Sequence, residues 1–397
     1  MDKNPCVFII SEEGSDANWL GTVRSLGSMG IKTIRLSPRS WYSSKYCSTI
    51  MSPHIATEPR DYLRFLMSLG KKMMERYSCK NILLPSNDRG LILISKNKEM
   101  LEDYFEPVAP DWVTTDIIID KSKTYKFADS EKIPIPKTFH PKNVSEIDYI
   151  AEMVHYPCLI KPIYSHIFTK RFGIKLIRVK TRNALLNTYK TLHHQGYESI
   201  ITEEIAGEDD QIYMLTTCFN RNSEPLAIFT SRKIRQFPPQ FGEGSFIESV
   251  WEPRIVDIGV YLLKKLRFYG VAMIEFKKNL ETGEFKLLEI NGRSHSQNHL
   301  ATACGLNLPY MLYKDVIGES KKPIDRFSCQ FQVGVKWLHI TKDFLSFLRK
   351  HKKGEIALKD WLRSIIIGKK DFAILSLNDF SPFLSELKRS ARYYFLA

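Results

Sequence analysis

Residues 273–293 read "MIEFKKNLETGEFKLLEINGR", two β-rich runs on either side of "LETGE", where Gly283 suits a tight turn. A turn centred on Thr282 sets Glu275 opposite Glu289 in an antiparallel pair. Side chains alternate along a strand, so Glu289, Asn291 and Arg293 project to one face. Opposed carboxylates repel at close range, and the pair is destabilising unless a cation intervenes. The alternative is a solvated hairpin whose glutamates pair with lysines. The large apolar neighbours in "AMIEF" and "LLEIN" argue against it. Magnesium takes oxygen ligands, usually a few carboxylates together with substrate phosphates. Glu275, Glu289 and Asn291 are therefore the expected seat of one or two Mg2+ ions bridging nucleotide phosphates, with Mn2+ as a substitute of similar ligand preference.

The chain around this hairpin alternates strand and helix. "CVFIIS", "WLGTVRSLGSMG" and "IKTIRLS" read as strand, helix, strand. "RDYLRFLMSLGKKMMERY" is an amphipathic helix leading to the short strand "KNILLPS". This alternation predicts an open, mostly parallel α/β sheet over residues 1–115. No G-x-G-x-x-G follows the first strand, so a dinucleotide site is not expected there. Asp88 and Arg89 in "LPSNDRG" fall at the carboxyl end of a strand, where such sheets hold ligands; a solvated turn is the alternative. "TTDIIIDKSKTYKFADSEKIPIPKTF" reads as a helix stopped by two prolines. Strands follow in "YPCLIKPIYS", "FGIKLIRV" and "SIITEEIAG", and "TRNALLNTYKTLHHQ" reads as a helix. "IYMLTTCFN" and "PLAIFTSRKI" form a hairpin around "RNSE", and the helix "IVDIGVYLLKKLRFYG" then leads into the hairpin at 273–293. Residues 331–397 are a mixed extension with helices in "ITKDFLSFLRKH" and "IALKDWLRSIII".

At 397 residues the chain exceeds what one compact core organises. The formal charge of +14 suits a phosphate-binding enzyme or an anionic surface. Without a zinc-finger or RNP-type signature, no specific nucleic-acid partner is expected. "RKHKKGE" at 349–355 concentrates positive charge near the C-terminus and is compatible with weak contact to an anionic membrane surface. No apolar run approaches the ~20 residues of a membrane span. Seven scattered cysteines without a C-x-x-C pair imply reduced thiols and a cytoplasmic setting.

Four pieces, "DKSKTYKFADSEKIPIPKT", "YPCLIKP", "ITEEIAGEDD" and "MIEF…LLEINGR", have an order and spacing that resembles the ATP-grasp enzymes over residues 116–305. "SRKIRQFPPQFGEGS" is similar to a carboxylate–amine ligase-like branch of that superfamily. The resemblance implies an α/β protein of three parts: a preceding α/β domain at 1–115, a two-lobed ATP-grasp core at 116–330 with a lid at about 128–205, and a C-terminal α/β extension at 331–397. It implies ATP and Mg2+ as cofactors. Lys121 and Lys161 would contact the phosphates, and Glu203, Glu204 and Ala206 would read the adenine edge through main-chain atoms. One acid among Glu208, Asp209 and Asp210, with Asp210 chosen, would hold the ribose. Glu275, Glu289 and Asn291 would be the magnesium ligands. Arg293 would touch the γ-phosphate or the acyl phosphate formed from it, and Lys233 and Arg235 would stabilise the transferring group.

In one place the chain departs from the pattern. Many members carry a glycine-rich phosphate-covering loop where this one has "IYSHIFTKRFG", with Gly173 alone; either His166, Lys170 or Arg171 would cover the phosphates with side chains, or the loop would be disordered without nucleotide. The implied activity is an ATP-dependent ligase that activates a small-molecule carboxylate as an acyl phosphate for attack by an amine. "GEGS" at 242–245 and "RSHSQNH" at 293–299 would line the acceptor side, with His295 and His299 as candidates to steer the amine. A homodimer is compatible with such an enzyme. The alternatives are a bicarbonate-activating carboxylase-type enzyme and a non-catalytic nucleotide-binding regulator.

Overall fold

The computed structural model describes residues 4–12, 16–39, 43–319 and 329–394, arranged around three sheets. The first contains β1 (Val7–Ile10), β2 (Thr33–Ser37), β3 (Cys47–Met51), β4 (Asn81–Pro85) and β5 (Phe105–Pro107). All its pairings are parallel, in the order β3-β2-β1-β4-β5. Strands β1, β2 and β4 are buried along their whole length, as expected when helices cover both faces of a parallel sheet. The open parallel α/β module expected at the N-terminus is present.

The second sheet is small and antiparallel: β6 (Thr138–Phe139), β7 (Cys158–Pro162), β8 (Ile177–Val179) and β9 (Ser199–Glu203), in the order β6-β9-β7-β8. Its core is its own, built from Ile147, Ile160, Leu185, Tyr189 and Ile201. The segment "IYSHIFTKRFG" holds the helix Ser165–Phe172, which ends on Gly173 in the left-handed region at φ 70°. Phe168 and Phe172 pack on Tyr197 at 5.4 and 5.3 Å between ring centroids, anchoring this helix to the lobe.

The third sheet has seven strands: β10 (Ile212–Phe219), β11 (Pro225–Phe237), β12 (Glu243–Ser249), β13 (Gly270–Lys278), β14 (Phe285–Asn291), β15 (Lys336–Leu338) and β16 (Lys370–Phe372). On one face Leu215, Ile274 and Phe276 meet the helix Pro253–Lys265. On the other, Ala227 and Phe229 pack near the helix Leu308–Val316, while Lys233 and Glu275 line a cleft with Leu159 and Lys161 of the small lobe. Strand β15 pairs with β12 and β16 with β15, so part of the C-terminal segment extends this sheet.

The single helix expected before "EKIPIPK" is two, Trp112–Ile119 and Lys121–Ser130. Asp120 breaks it: its carboxylate accepts the Lys123 backbone N–H at 3.0 Å and caps the second helix. Lys121 is thereby fixed at the first helical position. Among the described residues, no helix is long and apolar enough to cross a membrane.

Candidate active site

The register opposes Glu275 to Glu289 as expected, but not from a turn centred on Thr282: Lys278 pairs with Phe285, which centres the turn between Glu281 and Thr282. Nearer the turn, Lys277 pairs with Lys286 and Phe276 with Leu287, leaving Leu288 as an extra residue. This β-bulge resets the pairing and turns both Leu288 and Glu289 toward the cleft. The Leu288 carbonyl accepts a hydrogen bond from the Tyr125 hydroxyl at 2.9 Å, and that hydroxyl accepts one from Lys161 Nζ at 2.9 Å. A bulge, a tyrosine from the capped helix and a lysine from the small lobe are thus tied in series.

The carboxylate pair is ringed by cations. Lys233 Nζ lies 2.9 Å from Glu275 Oε2, and Lys121 Nζ lies 3.3 Å from Glu289 Oε2. Asn291 Nδ2 donates to Glu289 Oε1 at 3.1 Å, and Asn291 Oδ1 accepts from Arg293 Nη2 at 3.1 Å. Arg293 Nε in turn donates to Asp88 Oδ1 at 2.6 Å. Burial alone would raise the Glu289 pKa; Lys121, Lys175, the Asn291 amide and Lys233 outweigh it and hold the carboxyl well below its ordinary range. Lys161 is 7 % exposed, and burial pulls its ammonium down to about 8, with Glu289 and Glu203 opposing.

The donor set is all oxygen: two carboxylates and a carboxamide, with 29 % of the Glu289 side chain still accessible from the cleft. Among the described residues no three His, Cys, Asp or Glu side chains form a cage. Mg2+ does not require one, since it keeps one or two carboxylates and completes its shell with water and phosphate oxygens. The residues present fit that ion.

Lys233 and Arg235 do not act together as expected. In a regular strand they would share a face, but the β11–β12 register shifts between them, leaving Ile234 unpaired. Lys233 points to Glu275 and Gln236. Arg235 instead forms a bidentate pair with Asp343 at 2.9 Å to each oxygen, lies over the Phe246 ring, and is 4 % exposed. It does not line the cleft.

At the outer end of the cleft, Glu203 accepts from Lys286 Nζ at 2.6 Å and from the Lys137 backbone N–H at 3.0 Å, while Glu204 pairs with Arg178 at 2.6 Å. The Ala206 carbonyl accepts the Leu280 N–H at 3.4 Å. Of the three neighbouring acids, Asp210 is exposed and bonded to Gln211 Nε2. Asp209 is 3 % exposed and accepts from Gln236 Nε2 and the Gln240 N–H, which anchors the turn at 237–242. Glu208 is the acid with an exposed side chain beside Ala206 and Gly207 in the outer groove. Gln240, Phe241 and Gly242 wall the cleft. A Cβ at Gly242 would stand 2.1 Å from the Phe237 carbonyl carbon, so only glycine lets the chain double back here.

Sequence reasoning does not single out Tyr125, Lys175, Gln236 or Asp343. Lys175 lines the cleft from the small lobe, facing the charges of Glu243, Glu289 and Glu275; burial opposes them, yet its pKa stands above the usual lysine value. It stands two residues beyond the glycine-poor segment, and the departure from the glycine-rich pattern is its signal. Arg171 is exposed, and the side chains of His166 and Lys170 lie outside the described residues. His295 is buried, held neutral with a pKa lowered to about 3 by burial and Arg293, and faces Thr216; His299 pairs with Asp371. Asp88 is not a solvated turn residue: it is half-buried and engaged with Arg293.

No protein-family model matches the chain. It is 22 % identical over 364 residues to the D-aspartate ligase of Enterococcus faecium, covering 87 % of this chain and 85 % of that one. Among solved structures, the L-amino acid ligase of Bacillus licheniformis superposes with a TM-score of 0.59 at 13 % identity, covering 84 % of this chain and 78 % of the other. The biotin carboxylase domain of Hydrogenobacter thermophilus 2-oxoglutarate carboxylase, solved with MgADP, ADP and bicarbonate, gives 0.61 at 12 % identity, covering 83 % and 73 %. These likenesses show that the chain shares the fold of that L-amino acid ligase and that biotin carboxylase domain, and its ordered motifs resemble those of the ATP-grasp superfamily.

Proposed function

We propose that the chain is an ADP-forming ligase that activates a small-molecule carboxylate as an acyl phosphate and passes the acyl group to an amine. The opposition of Glu275 and Glu289 in a cleft shared with Lys121, Lys161, Lys175 and Lys233 carries this reading. The near full-length likeness to a D-aspartate ligase supports the choice of a ligase, and puts D-aspartate and other amino acids first among carboxylates to test.

Glu275, Glu289 and Asn291 would hold Mg2+, or Mn2+ in its place. A bound divalent ion offsets charge on the transferring phosphoryl oxygens. Lys161 is free for a phosphate, since its hydrogen-bond partner is the neutral Tyr125 hydroxyl. Lys121 and Lys233 now neutralise the carboxylates and would turn to phosphate oxygens once a divalent ion does so. Arg293, its guanidinium fixed by Asp88, would face the transferring group from the side of the parallel sheet. Arg235 serves as a positioning residue for the strand that carries Lys233. Glu203, Glu204 and Ala206 border the groove suited to the adenine, with Glu208 a better placed ribose partner than Asp210. The small lobe would close over the site and exclude water, which would otherwise hydrolyse the acyl phosphate.

The test is ADP release with Mg·ATP and pooled amino acids or other carboxylates, with hydroxylamine present to trap acyl phosphate as a hydroxamate. Release that depends on one pool and yields hydroxamate is expected. Release driven by bicarbonate alone, or Mg·ATP binding without turnover in any pool, would overturn the ligase reading.

A further inference from the structure

The helix Leu358–Ile366 has no buried residue, an unusual state for an amphipathic helix in which five of nine residues are apolar. Its inward side is defined by Trp361, which stacks on Phe347 at 4.6 Å between ring centroids and donates from Nε1 to Asp343 at 2.9 Å. Ser364, three residues on, accepts from Arg235 Nη1 at 3.0 Å. Fixing Trp361 and Ser364 toward the body leaves Leu358, Leu362 and Ile366, at four-residue intervals, as one outward stripe. They are 50 %, 39 % and 72 % exposed, and Ile367 beyond them is 52 % exposed. Exposed Lys359 and Arg363 lie beside the stripe, with exposed Lys352, Lys353 and Lys369 on the flanking segments.

We propose that this helix lies on an anionic phospholipid surface, its leucine and isoleucine stripe in the headgroup–acyl boundary and its lysines and arginine on the lipid phosphates. A contiguous apolar stripe beside basic residues is the signature of an interfacial amphipathic helix. Charge decides among occupants. A symmetric contact with a second copy would set two helices of net positive charge together, Lys359 and Arg363 against the single acid Asp360 on each, and an excess of like charge across an interface is unfavourable. A nucleic acid would leave the isoleucines without an apolar partner. An anionic membrane satisfies both halves of the surface. None of these residues lines the nucleotide cleft, so the proposal stands or falls separately from the ligase reading.

The experiment is flotation of the full chain with vesicles of phosphatidylglycerol mixed with phosphatidylcholine, against phosphatidylcholine alone. The wild type is expected to float with the anionic vesicles at about 0.1 M salt and to be released at several-fold higher salt. Leu362→Ser with Ile366→Ser should weaken binding at least about tenfold, because each removes a large apolar side chain from the boundary. Lys359→Glu with Arg363→Glu should weaken it comparably while leaving the melting temperature unchanged. Absence of wild-type flotation would overturn the proposal. So would equal binding by the serine variant, which would mean nonspecific charge attraction, or conversion of a wild-type dimer to a monomer by that variant, which would mean a contact between copies.

Discussion

Arg293 and Asp88 meet at 2.6 Å across the boundary between the parallel N-terminal sheet and the large antiparallel one. Asp88 opens the helix Asp88–Lys96 after β4, and Arg293 follows β14 by two residues. The N-terminal module therefore orients a guanidinium that also touches Asn291, a member of the carboxylate set. Asp88→Ala should lower kcat about tenfold to a hundredfold, because a small displacement of a positioned group is enough for that loss. The Kd for Mg·ATP should change little. Steady-state kinetics with calorimetric titration separates the two, and an unchanged kcat would contradict the coupling.

Lys161 gives the site a pH dependence of definite sign. Burial lowers its pKa to about 8 in the free protein. Phosphate favours the charged form, so binding above that pH must be accompanied by proton uptake. Affinity for Mg·ATP should be level below about pH 7 and fall above 8, by up to about tenfold per pH unit. Calorimetry in buffers of different ionisation enthalpy should register the proton. A flat profile to about pH 10 would show that Lys161 is charged throughout or makes no phosphate contact.

Lys175 stands on the small lobe facing the carboxylate pair. Lys175→Ala should reduce kcat/KM for ATP at least about tenfold, as expected for a lost charge-assisted contact to phosphate. Its melting temperature should hold or fall slightly, since burial lowers the lysine pKa but attraction to Glu243, Glu289 and Glu275 outweighs it. Unaltered kinetics would leave phosphate covering to other residues.

Asp343 is fully buried and accepts from Arg235, Ser245 and Trp361. Asp343→Ala leaves the Arg235 charge buried without its partner, a change that costs about 3–5 kcal/mol. Chemical denaturation should show that loss, and Arg235→Met in the same background should recover part of it. Recovery would mark Arg235 as structural; a variant as stable as wild type would contradict the buried pairing.

The carboxylate hairpin is legible in the sequence because period-2 patterning and a glycine turn are local signals. They suggest that Glu275 faces Glu289, although in the fold the pairing is reached only through the bulge at Leu288, which leaves no local trace. Bulges carry no local pattern, which is also why Lys233 and Arg235 read as sharing one face when the β11–β12 register separates them. Glu208, Asp209 and Asp210 are adjacent acids of similar chemistry, and burial tells them apart: tertiary partners, Gln236 and Gln240, select Asp209 for the interior. Strands β3 and β5, "CSTIM" and "FEP", are short and lack an apolar alternation, so pattern alone does not find them. The helix break at Asp120 has a readable capping signal in "DKSK", masked by the apolar run "III" just before it.

The measurement that bears most directly on the site is ATP titration with and without Mg2+, on the wild type and on Glu289→Gln. In the wild type Mg2+ should strengthen binding by at least about tenfold, in keeping with a divalent ion bridging carboxylates and phosphates. In Glu289→Gln that gain should vanish. Metal-free ATP should bind the variant as well as or better than the wild type, because a negative charge has left a lysine-rich cleft. The same Mg2+ enhancement in both proteins would contradict the assignment of Glu289 as a metal ligand, and with it the central role of the opposed pair.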